Sequence, residues 1–121
     1  MGAESVWEQG AAPKNRGGNV VDAGKPVVIQ TSRSLLNAKA ASTFQLTGQL
    51  LDNRMTPLVT KLDVTSDKPG TVAIDSVVLS NEFPVQTVAY LRAPARTTAD
   101  SATVTFSGSG LSATSKVVVT P

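Results

Sequence analysis

The last thirty residues constrain the fold more than any other stretch of this chain. Ala102, Val104 and Phe106 alternate with Ser101, Thr103 and Thr105. After Ser107-Gly108-Ser109-Gly110 the alternation resumes, with Leu111, Ala113, Val117 and Val119 set against Ser112, Thr114, Lys116 and Val118. A period of two puts each set on its own face of a strand. Two such runs of equal length around a Gly-rich loop predict a β-hairpin with one buried face. An isolated hairpin is marginal in water, so its apolar face requires a second sheet to cover it.

Upstream, the same signal recurs from Pro26 onward. Pro26-Val27-Val28-Ile29-Gln30 reads as a first strand. Residues 31–41 carry no clear period, and Leu35, Leu36 and Ala38–Ala41 are compatible with one helical turn. Phe44, Leu46 and Leu50 share a face, and Asp52-Asn53-Arg54 then supplies turn chemistry. Leu58, Leu62 and Val64 lie opposite Lys61, Asp63 and Thr65 on a further strand. Asp67-Lys68-Pro69-Gly70 turns, with Pro to fix φ and Gly to allow a positive one. Val72, Ile74 and Val77-Val78-Leu79 continue, Asn81-Glu82 turns again, and Val85 to Leu91 forms another strand before Arg92-Ala93-Pro94. Roughly seven strands with turns every 8–12 residues predict an all-β, antiparallel sandwich over residues 26–121. Its expected core is Phe44, Leu46, Leu62, Val64, Ile74, Tyr90, Val104, Phe106, Val117 and Val119.

Composition narrows the chemistry. The 121 residues contain no Cys and no His, and only five aromatic residues: three Phe, one Trp and one Tyr. The core must therefore be aliphatic. No disulfide or thiolate nucleophile is available, and the usual general base and transition-metal ligand is missing. Ser-His-Asp and Cys-His hydrolases and ordinary zinc enzymes are excluded. The eleven basic and nine acidic residues give a net charge of +2, and no two basic residues are adjacent. That scatter lacks the clustered footprint of a nucleic-acid binder. No run reaches the 18 or more apolar residues of a membrane helix. Residues 1–25 lack the pattern of a signal peptide, so the expectation is synthesis and folding in the cytosol.

Four local patterns invite a sharper reading. Asp63, Asp67 and Asp75 are the closest acidic grouping, but turn capping and a solvated strand face account for them better than a Ca²⁺ site. A carboxylate pair for glycoside hydrolysis needs two acids across a cleft, and few aromatics are present to stack a sugar. Gly108-Ser109-Gly110 is half of a phosphate-loop fingerprint, but a strand follows it where a helix is needed. Arg16-Gly17-Gly18 is a single copy, which fits flexible-chain composition. No cofactor is expected.

The closing hairpin resembles that of bacterial and phage immunoglobulin-like domains, in which an Ala-Thr-[Val/Ile]-Thr-apolar strand meets a final strand ending Val-x-Val. Here these are Ala102-Thr-Val-Thr-Phe106 and Leu111-Ser-Ala-Thr-Ser-Lys-Val-Val-Val119. Phe44-Gln-Leu-Thr-Gly-Gln-Leu50 is similar to an early strand of the family, and Lys61-Leu-Asp-Val-Thr-Ser66 sits where the family often has a Trp-containing strand, with Val64 in the aromatic position. The resemblance covers about residues 26–121. It implies an immunoglobulin-like β-sandwich whose work is adhesion, spacing or decoration, with no catalytic residues to carry over.

Residues 1–25 differ from the rest. Pro13, Gly17, Gly18 and Gly24 interrupt any period, and Val6, Trp7, Val20 and Val21 are the main apolar groups. The segment cannot offset its own ordering entropy alone and is expected to be an extended N-terminal arm. Trp7 either folds back on the domain or anchors the arm to a partner. The arm contacts are then Val6, Trp7, Arg16, Val20 and Val21. Two non-enzymatic functions follow. The first is a virion decoration or cement protein, held by its arm and a sheet edge on the major capsid protein or another virion protein, with self-association open. The alternative is a carbohydrate- or protein-binding adhesin module of a bacterial surface protein.

Overall fold

The computed structural model describes residues 25–121; the arm residues Val6, Trp7, Arg16, Val20 and Val21 lie outside them. Eight strands run in the order β1 (Pro26–Thr31), β2 (Leu35–Lys39), β3 (Ser42–Asp52), β4 (Asp63–Ser66), β5 (Ala73–Ser80), β6 (Gln86–Ala93), β7 (Asp100–Gly108) and β8 (Leu111–Thr120). They form two four-stranded sheets, β1-β3-β6-β5 and β2-β8-β7-β4. The predicted all-β sandwich is present, and every pairing is antiparallel except that of β2 with β8.

That parallel pair explains the ambiguous segment. Residues 35–39 are a strand and not a helical turn. The chain leaves the first sheet at Thr31, crosses at residues 32–34 and continues in the same direction on the second. Both sheets hold the crossing. Ser32 N donates to Thr47 O at 2.8 Å in one sheet, and Lys116 N donates to Ser34 O at 2.9 Å in the other. Ser115, fully buried, donates its hydroxyl to Arg33 O at 2.5 Å. A helical turn here would leave the edge of β8 unpaired; a strand satisfies it.

The core lies between the sheets. Leu46 and Leu50 of β3 and Ala89, Leu91 and Ala93 of β6 face Ala102, Val104 and Phe106 of β7 and Val117 and Val119 of β8. Phe106, the largest fully buried side chain, sits over Gly48, where a Cβ would come within 2.6 Å of its ring. Leu62 and Val72 are also buried. Of the expected core, Phe44, Val64 and Ile74 pack against it from partly buried positions.

Tyr90 was expected inside and is not: it is 39% exposed on the outer face. The inner phase of β6 is Thr87, Ala89, Leu91 and Ala93, all buried. Both phases carry apolar residues in mid-strand, Val88 and Tyr90 in one and Ala89 and Leu91 in the other, so the middle of the strand alone does not choose between them. Small inward residues on β6 leave volume for the larger side chains of the facing sheet.

The strand expected through Leu58, Leu62 and Val64 begins only at Asp63; Pro57, which lacks a backbone donor, makes an isolated bridge to Leu51. The β7–β8 loop closes on Ser109 (φ 53°) and Gly110 (φ 76°), two successive left-handed residues, as a type I′ turn requires.

Candidate docking surfaces

Topology gives the sandwich two poles. β1 pairs with β3 so that Pro26 meets Asp52, whereas β2 and β8 run together to Lys39 and Thr120, next to the start of β3 at Ser42. The described chain therefore enters at one pole and leaves at the other. β3, with 11 residues, spans nearly the whole distance, about 35 Å at ~3.3 Å per residue. The entry pole carries loops 53–62 and 81–85 and the tip at 109–110. The exit pole carries the turn at 40–41 and loops 67–72 and 94–99.

The exit pole is held by a polar network. The Asp100 carboxylate accepts from the Thr71 hydroxyl at 2.8 Å and from Lys68 Nζ at 3.2 Å, with Arg96 Nη2 at 3.6 Å. Arg96 also donates to Thr71 Oγ1 at 3.2 Å and to Thr98 O at 2.6 Å. The Thr71 hydrogen bond, followed by the Ser101 backbone N–H and Lys68, lowers the Asp100 pKa from an ordinary 3.8 to about 2. A carboxylate so held is a fixed acceptor, poorly suited to taking up a proton.

The Asp63, Asp67 and Asp75 grouping is not brought together. Asp67 Oδ1 accepts from Thr103 N at 2.7 Å, which ties loop 67–72 to β7, and Asp75 pairs with Arg92 Nε at 3.2 Å on the outer face of the first sheet. Asp63 opens β4 near the other pole. Among the described residues no cluster of three or more metal-ligating side chains occurs, and no helix is long and apolar enough to cross a membrane.

The entry pole exposes three large apolar side chains among its polar loop residues. Phe83 is 96% exposed, Val59 61% and Met55 58%. Their loops have firm supports. Asp52 Oδ1 accepts from Arg54 N and Thr56 N, both at 2.9 Å, and Leu62 N donates to the buried Thr87 hydroxyl oxygen at 2.9 Å. Gln49 Nε2 donates to Val85 O at 3.3 Å, beside the cis Phe83–Pro84 peptide. In the sequence Asn81-Glu82 reads as a plain turn, and Phe83 follows it unassigned to any strand. The missed signal was an aromatic residue inside a turn, beyond the end of either flanking strand.

At the opposite end of the same sheet, where β3 begins and β6 ends, Ala41, Ala93, Pro94 and Ala95 line a hollow of about 340 Å³, bordered by Arg92. Phe83 and this hollow lie at the two ends of β6.

The strand order matches the immunoglobulin arrangement, in which strands A, B, E and D face C, F and G; here the A strand is split as β1 and β2. No family model matches the sequence, and no curated protein matches it. Solved structures of the S-layer protein SbsC do match in fold. Its domains 4 and 5 superpose with a TM-score of 0.62 at 17% identity, covering 92% of this chain and 56% of that one. Its domains 5–6 give 0.61 at 20% identity, with 78% of this chain and 45% of that one covered. Its domains 1–6 give 0.61 at 20% identity over 79% of this chain and 13% of that one. The chain thus spans about half the length of the two-domain structures. The molecule is an immunoglobulin-like β-sandwich.

Proposed function

We propose that this chain is a non-enzymatic structural module of a bacterial cell surface, one unit among others set in line, working by spacing and protein contact. The carrying observation is the placement of its ends: the chain enters at Pro26 and leaves at Thr120, at opposite poles of the sandwich. A module so built extends a string of units by its own length. One whose ends share a pole would fold the string back. The likeness to consecutive domains of an S-layer protein supports this reading over a virion decoration protein. The exit-pole network around Asp100 supports it as well, since it stiffens the loops next to the outgoing strand.

In this reading Val6, Trp7, Arg16, Val20 and Val21 belong to the segment that leads into the module and contribute partner contacts there. Antibody labelling and protease accessibility on intact native cells test the proposal. The expected result is labelled, protease-accessible protein in the washed cell envelope. Recovery in purified virus particles, with none in the envelope, overturns it in favour of decoration of a capsid.

A further inference from the structure

We propose that Phe83 is the knob of a head-to-tail contact, seated in the hollow lined by Ala41, Ala93, Pro94 and Ala95 on a second copy of this module. The inference rests on the reading of the chain as an in-line unit and names its partner. Phe83 is 96% exposed, the most exposed large apolar side chain among the described residues. A phenyl ring held in water is a cost without return unless something covers it, and aromatic anchors in pockets dominate the energetics of protein contacts. The hollow is its counterpart: about 340 Å³, walled by Ala41, Ala93, Pro94 and Ala95 with the small polar Ser42 and Thr43, and with Arg92 at its border. That volume lies at the low end of the ~300–1,000 Å³ found for small-molecule pockets, a scale that admits a single ring.

Geometry selects a second copy as the occupant. Knob and hollow lie at the two ends of one strand, β6, so moving one copy along that strand's axis brings Phe83 toward the next copy's hollow. The same displacement repeats indefinitely, because each copy keeps one free knob and one free hollow. Such a heterologous contact makes an open row and no closed dimer. Charge does not oppose this placement: Glu82 precedes the knob, and Arg92, about half exposed and paired with Asp75 of its own module, borders the hollow, so the contact rests on the ring and the two ends of β6. An arm residue such as Trp7 in the hollow, or two Phe83 knobs packed on each other, are the competing occupants, and they predict different behaviour.

Sedimentation equilibrium of the full chain from about 10 µM to 1 mM decides among them. The expected result is mass that grows with concentration without a plateau at dimer. Phe83→Ala and Ala95→Glu each lower the association constant at least tenfold, with melting temperatures unchanged because both sites are exposed. Mixed in equal amounts, these two variants restore association but stop at dimers, since one supplies a hollow and the other a knob. A wild-type chain that stays monomeric throughout overturns the contact. So does a discrete dimer insensitive to Ala95→Glu, which assigns the knob to a symmetric pairing. Association lost in Trp7→Ala but kept in Phe83→Ala assigns the hollow to the arm and also overturns it. A monomeric chain that still labels at the surface of intact cells removes this contact and leaves the surface reading standing.

Discussion

At the scale of single residues, the sandwich turns on one interdigitation. Among the described residues Phe106 is the only aromatic one that is fully buried, and it fits over Gly48 on the facing sheet. Phe106→Ala removes a whole ring and leaves a cavity, costing about 3–5 kcal/mol. Gly48→Ala adds one methyl where none fits, 2.6 Å from the ring, and costs about 1–3 kcal/mol through overpacking. Because the two groups share one space, the double variant is less destabilised than the sum of the singles. Chemical denaturation of the three variants checks this; strictly additive losses mean that ring and strand do not touch. Ser115 makes the complementary point. It occupies the apolar phase of β8, where the alternation calls for a hydrophobic residue, and its hydroxyl is spent on Arg33 O at the sheet crossing.

At the scale of elements, the β7–β8 hairpin is where local chemistry and fold agree most closely. Its two-residue tip needs positive φ at both positions; Gly110 supplies one freely, and Ser109 takes φ 53° against its preference. Asn adopts that region more readily, and Asn-Gly is the favoured pair for this turn. Ser109→Asn is expected to stabilise the protein by roughly 0.5 kcal/mol, and Ser109→Val to destabilise it by about 1 kcal/mol, since a β-branched residue resists the left-handed region. Thermal melts of the two variants, shifting in opposite directions, check the turn type. β2 behaves differently from the hairpin. Its own residues, Leu35-Leu36-Asn37-Ala38-Lys39, carry no strong preference, and the exposed edge of β8 decides its conformation.

For the molecule as a whole, the absence of His means that no imidazole titrates near neutrality. Asp100 sets an acid dependence instead. Its folded pKa, about 2, lies below the ordinary 3.8, so its carboxylate stabilises the fold fully above 3.8. That contribution is lost progressively as pH falls through 3.8 toward 2. Urea midpoints measured from pH 5 down to pH 2 are expected to fall, and Asp100→Asn to flatten part of that fall while starting lower at pH 5. An Asp100→Asn curve parallel to the wild type's assigns the acid loss to other groups. The same network joins loops 67–72 and 94–99 across the exit pole, so its acid weakening loosens the end through which the chain leaves.

The all-β class, the sandwich, the closing hairpin and six of the buried core residues were legible in the sequence. A period of two is a local property of a strand, and Leu46, Leu62, Val104, Phe106, Val117 and Val119 each sit in an unambiguous phase. Three features depended on contacts between segments far apart in sequence. The middle of β6 is apolar in both phases, and packing against the facing sheet turned Ala89 inward and Tyr90 outward. Residues 35–39 became a strand because β8 offered an unpaired edge, which no local pattern announces. Phe83 and the hollow at Ala95 are twelve residues apart in the chain and mark opposite poles only once β6 is paired between its neighbours. Alternation records which face a residue prefers; which pole it reaches and what lies opposite follow from strand order, and that is set by packing the whole molecule at once.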